Sequence, residues 1–253
     1  MPHWLSCCAA VLLSALCTLS QAEPLQLYTE EYPPVSFSAE GQASGMASEL
    51  VRELLKRLGE PGEISVVPWA RGYHTVQQTP NTALFATIRN AEREPLFQWV
   101  GPILLAQDSF YALKGSGIQL RDLTDVAAAG PIAIPRDWFS YQELRNLGLQ
   151  NLLGVTEPEQ MFKLLKRGRV KLIVADNLSF YSTGEAAQQV DYLKASDVEV
   201  ALPYRASLGY ITFWPGTDPA VIQRWQRELD AMKADGSFSR IYQRWLPGEP
   251  EPQ

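Results

Sequence analysis

Apolar runs of strand length alternate along this chain with amphipathic stretches of helix length, and the alternation occurs twice. Leu25-Gln26-Leu27-Tyr28-Thr29 reads as a strand, followed by the turn-rich Glu31-Tyr32-Pro33-Pro34 and then Val35-Ser36-Phe37. A helix opens around Gly45 and Ser48. Its Leu50, Val51, Leu54, Leu55 and Leu58 recur at i, i+3/i+4 spacing, Glu49 and Glu53 lie early, Lys56 and Arg57 late, and Gly59 supplies the stop. Residues 64–67 predict a second strand, 72–78 a short helix and 83–88 a buried strand. After an extended stretch at 109–113 and the breaker Gly115-Ser116-Gly117, a second unit begins. It has a strand at 132–134, helices at 141–147 and 157–167, and a strand at 170–175 that ends in Asp176. Residues 208–213 predict a further strand, 219–234 a long helix and 238–245 a final short one, while the Pro/Glu-rich 248–253 reads as a flexible tail. Strands alternating with helices imply an α/β fold, and two such units imply two lobes.

The first 22 residues stand apart. Residues 7–19 are almost wholly apolar, too short a run for a membrane helix, and lead to Ser20-Gln21-Ala22, a small-x-small pattern. This is the pattern of a secretory signal peptide cleaved after Ala22, and it implies a protein that is soluble outside the cytoplasm. All three cysteines (Cys7, Cys8, Cys17) lie in that leader, so the remainder has no disulfide framework, thiolate metal site or cysteine nucleophile. It keeps a single histidine, His74, which cannot build a zinc cluster or an HExxH site. No metal or cofactor is expected. A formal charge of −6, without a run of Lys or Arg, excludes a nucleic-acid binder that works by neutralising phosphates.

Several motifs then occur in a telling order. Tyr32-Pro33-Pro34-Val35-Ser36-Phe37 precedes Gly45-Met46, and Asn90-Ala91-Glu92-Arg93-Glu94 precedes Phe97 and Trp99-Val100-Gly101-Pro102-Ile103. Asp235-Gly236-Ser237-Phe238, Ile241 and Arg244-Trp245 close the chain's last helical region. Together they resemble the family 3 extracellular solute-binding proteins, the periplasmic amino-acid-binding components of ABC transporters. The resemblance implies a two-lobed periplasmic-binding-protein-like fold of type II, with two hinge crossovers and a ligand cleft between the lobes. Carried onto this chain, residues 23–107 and 206–247 form lobe 1, and 108–205 form lobe 2 with the hinge strands. It also implies a monomer that hands its ligand to a permease in the inner membrane.

The same resemblance assigns roles. Arg93 matches the family's arginine that holds a ligand carboxylate, and its planar fork suits a bidentate bond. Asp176 stands where the family's lobe-2 acid receives a ligand ammonium, and Tyr32 where an aromatic packs on the ligand. From the residues themselves, Trp69 and Trp138 fall in loops after predicted strands, and Arg71 and Arg89 could add positive charge near a cleft. Ordinary readings stand beside these. Arg93 could pair with Glu92 or Glu94 at the surface, Asp176 could cap a helix, and the aromatics could be core. The chain also departs from the family pattern: Pro135-Arg136-Asp137-Trp138-Phe139-Ser140 replaces a Gly/Thr/Ser-rich turn, and Asn90 replaces a threonine. The leading expectation is capture of a small carboxylate-bearing, amino-acid-like solute without chemistry. The alternatives are a sensor acting on a membrane receptor and a periplasmic enzyme resembling cyclohexadienyl dehydratases, with Asp176 or Glu30 as proton donor.

Overall fold

The computed structural model describes residues 23–180 and 193–253; the signal peptide expected at 1–22 lies outside the described residues. Ten strands are described, β1 (Leu25–Thr29), β2 (Phe37–Ala39), β3 (Gln42–Ser44), β4 (Gly62–Val66), β5 (Thr82–Ile88), β6 (Gln98–Leu113), β7 (Ile132–Pro135), β8 (Leu152–Val155), β9 (Leu172–Asp176) and β10 (Val198–Phe213). The helices are α1 (Met46–Leu58), α2 (Trp69–Gln78), α3 (Leu123–Ala128), α4 (Phe139–Asn146), α5 (Pro158–Lys166), α6 (Pro219–Ala234) and α7 (Ser237–Trp245). Eight strands are hydrogen-bonded in the order β4-β1-β5-β10-β6-β9-β7-β8, and β2 and β3 form a separate hairpin.

This is the two-lobed α/β architecture that the sequence predicts. Parallel β4, β1 and β5 belong to one half, and parallel β9, β7 and β8 to the other. The 16-residue strands β6 and β10 run antiparallel through both halves. The expected lobe boundaries at 107/108 and 205/206 lie opposite each other on these two strands, since Asp108 pairs with Arg205 and Gln107 with Ala206.

Period-two alternation sorts each strand's side chains onto two cores. In β9, Leu172 and Val174 join Phe110, Ile134 and Leu144, whereas Ile173 and Ala175 join Met161, Phe162 and Leu165. In β5, Ala83 and Phe85 face a large core with Leu50, Leu54, Trp225 and Tyr242, and Leu84 faces Trp69, Val76 and Phe97. α1 lies on the large core by its Leu50/Val51/Leu54/Leu55 stripe, and a left-handed Gly59 ends it. Gly45 starts it at φ 103°, where a Cβ would meet the Pro34 and Val35 carbonyl oxygens at 2.7 Å.

Four expectations are corrected. β10 begins ten residues before the expected 208, because three register shifts and the half-exposed pattern around Pro203 and Arg205 break its periodicity. α3, β8 and the β2–β3 hairpin are additional elements; α3 is started by Asp122, whose side chain accepts from the Thr124 and Asp125 amides. α2 begins at Trp69 and not at Gly72, so Trp69 sits in a helix and not in a loop. Gly72 is tolerated inside α2 because it lets the helix approach the sheet: a Cβ there would lie 3.0 Å from Leu84 Cδ1. Finally, 248–253 is docked and not a loose tail. Pro252 is buried, the Tyr242 hydroxyl donates to the Pro250 carbonyl at 3.2 Å, and Lys233 Nζ donates to the Pro252 carbonyl at 3.1 Å.

Candidate ligand-binding site

A cleft of ≈ 500 Å³, part of it open to solvent, lies where the two halves meet. From lobe 1 it receives the loop after β1. Thr29 Oγ1 donates to Ser36 Oγ at 2.7 Å, Ser36 Oγ donates to the Glu30 carbonyl at 3.0 Å, and Tyr32 and Ser36 exchange backbone hydrogen bonds. This closed loop fixes Glu30 and the buried Tyr32 against the cleft.

The turn after β5 delivers Arg93. Asn90 Oδ1 accepts from the Arg93 amide at 2.7 Å and so closes this turn. Arg93 is only 2% exposed. Its guanidinium lies 5.2 Å from the Tyr73 ring centre, 5.8 Å from that of Trp69 and 5.9 Å from that of Phe139, an aromatic cage for the cation. Besides Tyr73, whose side chain interacts with the guanidinium, contacts of 3.4–3.5 Å reach the Ile88 and Asp137 carbonyls and Gln142 Oε1, and Nε has no partner. Burial lowers the Arg93 pKa from its ordinary value. The surface pairing with Glu92 or Glu94 is therefore not formed: Glu94 pairs with Arg89, and Glu92 accepts from Asn146 Nδ2 at 2.9 Å.

Lobe 2 contributes two strand ends. Beyond β7, Trp138 crosses to lobe 1, donating from Nε1 to Glu30 Oε2 at 3.3 Å and meeting Tyr32 edge-on with ring centres 5.8 Å apart. Its ring thus shapes the cleft wall. At the end of β9, Asp176 splits its two oxygens: Oδ1 accepts from the amides of Leu178 (2.8 Å) and Ser179 (3.0 Å), and Oδ2 accepts from the Tyr32 hydroxyl. The capping role and the cleft position hold together.

At the hinge, Asp108 of β6 is buried and accepts only long bonds, from Ser140 Oγ at 3.3 Å and Ser207 Oγ at 3.4 Å. Burial, reinforced by neighbouring Asp176, pushes Asp108 up to about 7, and burial pushes Glu30 up to about 8 against the lowering effect of the Trp138 N–H. Burial likewise raises Asp176. Three carboxyl groups thus share the cleft with one lining guanidinium, and burial disfavours the ionised form of each.

Of the residues singled out from the sequence, Tyr32, Trp69, Arg93, Trp138 and Asp176 line this cleft. Arg71, exposed on α2, and Arg89, paired with Glu94 beside Trp99 and Tyr210, do not. Phe139 and Ser140, in the turn that departs from the family pattern, line it too, as does Asp108, which was given no site role. Their one sequence signal is position: Phe139 and Ser140 follow Trp138, and Asp108 stands at the expected lobe boundary. Among the described residues, no group of three or more His, Cys, Asp or Glu side chains is arranged to hold a metal ion.

The family model described as bacterial extracellular solute-binding proteins, family 3, matches residues 26–248. No curated protein matches the sequence. Among solved structures, a histidine kinase sensor domain with similarity to periplasmic binding proteins superposes with a TM-score of 0.79 at 18% identity, covering 92% of this chain and 99% of its own. An ancestral arginine-binding protein bound to arginine gives 0.75 at 20% identity, covering 89% and 99%. The ancestral amino acid-binding protein AncCDT-1, a precursor of cyclohexadienyl dehydratase, gives 0.74 at 20%, covering 88% and 94%. At these identities the superpositions establish a shared fold.

Proposed function

Because the chain belongs to the family 3 bacterial extracellular solute-binding proteins, we propose that it captures a small solute bearing a carboxylate and at least one amino group between its lobes. The observation that carries this reading is Arg93: a caged cation, 2% exposed, lining the cleft, whose Nε has no partner and whose bonds to Ile88, Asp137 and Gln142 are long. A buried guanidinium so poorly satisfied favours an incoming anion, and a carboxylate fits its fork. Asp176, across the cleft, receives the ligand ammonium in place of, or beside, the Tyr32 hydroxyl. Glu30, Asp108 and Asp176 each gain a charge partner when a cation displaces their proton, so a solute with a second cationic group is favoured over one with a second anionic group.

No reaction is required of such a site, and the protein acts as a carrier. Residues 1–22 export it to the periplasm, residues 23–107 with 206–247 and residues 108–205 are the lobes that close on the ligand, and a monomer docks on an ABC permease. The test is a thermal-shift screen against amino acids, diamines and small carboxylates, followed by calorimetry and recovery of the compound. A shift by amino acids, with the compound recovered unchanged, is the expected result. Arg93→Ala should then weaken binding by ~30-fold or more, because a ligand carboxylate loses its buried partner. A loss below threefold in a folded variant overturns the assignment. Consumption of the compound would replace the carrier reading with a lyase.

A further inference from the structure

The cleft acid Asp176 is followed at once by a short 3-10 turn, Asn177–Phe180, and the first residue of that turn is held from outside lobe 2. Asn177 Oδ1 accepts from the amide of Gln107 on hinge strand β6 at 2.8 Å. Its Nδ2 donates to Oε2 of Glu249, in the segment that follows α7. Glu249 is itself fixed: its amide bonds to the Leu246 carbonyl at 3.2 Å, and its carbonyl accepts from Gln243 Nε2 at 2.9 Å. The next residues fasten the segment to lobe 1, with Glu251 Oε1 accepting from Ser239 Oγ at 2.7 Å and from Gln243 Nε2 at 3.0 Å. Both ends of the Asn177 amide are thus occupied, one by the hinge and the other by the C-terminal segment.

We propose that residues 248–252 form a strap that runs from lobe 1 to the Asn177–Phe180 turn, and that Glu249 is a positioning residue for Asp176. The physical argument is geometric. Asp176 Oδ1 is oriented by the amides of Leu178 and Ser179, both inside this turn, so whatever fixes the turn fixes the direction of Oδ2 into the cleft. A carboxylate accepting from an amide is a stronger tether than a neutral pair, and this one is partly buried. A cleft whose two walls move about β6 and β10 needs its lobe-2 acid in register with the lobe-1 arginine, and the strap links that acid to lobe 1 without passing through the cleft. The consequence for ligand affinity rests on the solute-binding reading above; the consequence for the turn does not.

The experiment therefore needs no ligand. Amide hydrogen exchange is followed at Leu178 and Ser179 in the whole protein and in Glu249→Ala, Asn177→Ala and Glu249→Gln, with amides of β1 and α1 as internal reference. Exchange at Leu178 and Ser179 is expected to quicken about tenfold in Glu249→Ala and in Asn177→Ala while the reference amides stay within twofold, because a tenfold change answers to ~1.4 kcal/mol. Glu249→Gln, which keeps an oxygen acceptor at the same reach, should stay within about threefold of the parent. The proposal is overturned if Glu249→Ala leaves the two amides within twofold of the parent. It is overturned equally if the increase spreads evenly to β1 and α1, or if Glu249→Gln is as fast as the alanine variant. Should exchange behave as expected while no amino acid binds, the strap stands and the solute reading falls.

Discussion

The Tyr32 hydroxyl, in the loop after β1, donates to Oδ2 of Asp176 at the end of β9, two residues 144 positions apart that meet across the cleft. The bond ties one lobe to the other through the same oxygen that a ligand ammonium would seek. Tyr32→Phe removes the donor and keeps the ring against Trp138. Loss of a buried bond to a carboxyl is expected to cost about 1–3 kcal/mol of closed-state stability. Small-angle scattering of the ligand-free variant should report a larger radius of gyration than the parent. An unchanged radius, with unfolding also unchanged, would mean that the contact does not hold the lobes together.

Arg93 presents the opposite case, a side chain whose presence burdens the fold. Its cation is desolvated, its Nε lacks a partner, and three aromatic rings surround it. Arg93→Met fills the same cage with an apolar chain, and replacing a buried charge in this way is often stabilising by about 1–4 kcal/mol. Chemical denaturation should show the variant to be at least as stable as the parent, whereas calorimetry should find carboxylate binding abolished. A variant destabilised by more than about 2 kcal/mol would indicate that Arg93 braces the fold through its bonds to Ile88, Asp137 and Gln142.

Tyr32, Arg93 and Asp176 were singled out through the motifs of the family the chain resembles, and all three line the cleft. Tyr32 and Arg93 lie in short motifs just beyond strands, and Asp176 ends a strand of five buried residues, so chain order alone brings them toward one edge of the sheet. Asp108 was not legible, because it stands inside β6, where a polar residue reads as solvent-facing. Only the pairing of β6 with both β9 and β10 encloses it. The C-terminal segment misled for a related reason: its Pro/Glu composition resembles a loose tail, yet Glu249 and Glu251 find partners on Asn177, Ser239 and Gln243. Composition reports what a segment cannot bury, and says nothing of what a neighbouring surface can hold. Arg71 and Arg89 carry the same lesson. Charge near a motif is readable, but the face of the helix or turn to which it belongs is set by packing.

The raised acids make stability depend on pH in a definite direction. Glu30 at about 8 and Asp108 at about 7 bind protons in the folded protein at pH values where the unfolded chain has released them. The folded state is therefore favoured by protons between about pH 4.5 and pH 8, and stability falls as pH rises through that window. Half-buried Glu53 and exposed Glu94 and Asp235, lowered by Arg57 and Arg89, act with the opposite sign and only at more acidic pH. Ligand-free protein should melt several degrees higher at pH 5.5 than at pH 8. Glu30→Gln combined with Asp108→Asn should flatten the difference, and a parent whose melting temperature rises toward pH 8 would contradict the assignment of these two groups. A cationic ligand should in turn expel protons, seen by calorimetry as a binding heat that depends on the ionisation enthalpy of the buffer.

Trp138 tests whether that proton balance is set from across the cleft. Its indole N–H is the contact that most lowers the Glu30 pKa, against the larger upward effect of burial. Trp138→Phe keeps an aromatic ring near Tyr32 and removes the N–H, so Glu30 should titrate above its parent value by roughly 0.5–1 pH units, the equivalent of one modest hydrogen bond. Carboxyl-carbon NMR of selectively labelled glutamate follows this directly. A Glu30 that holds its proton more tightly also competes better against an incoming cation. Affinity at pH 7 for a ligand with a cationic side chain should therefore drop by roughly three- to tenfold, while that for a neutral amino acid, which needs only Arg93 and Asp176, changes less. Equal losses for both ligands would place Trp138 in packing the wall alone, and an unshifted Glu30 would show that its N–H does not govern the acid.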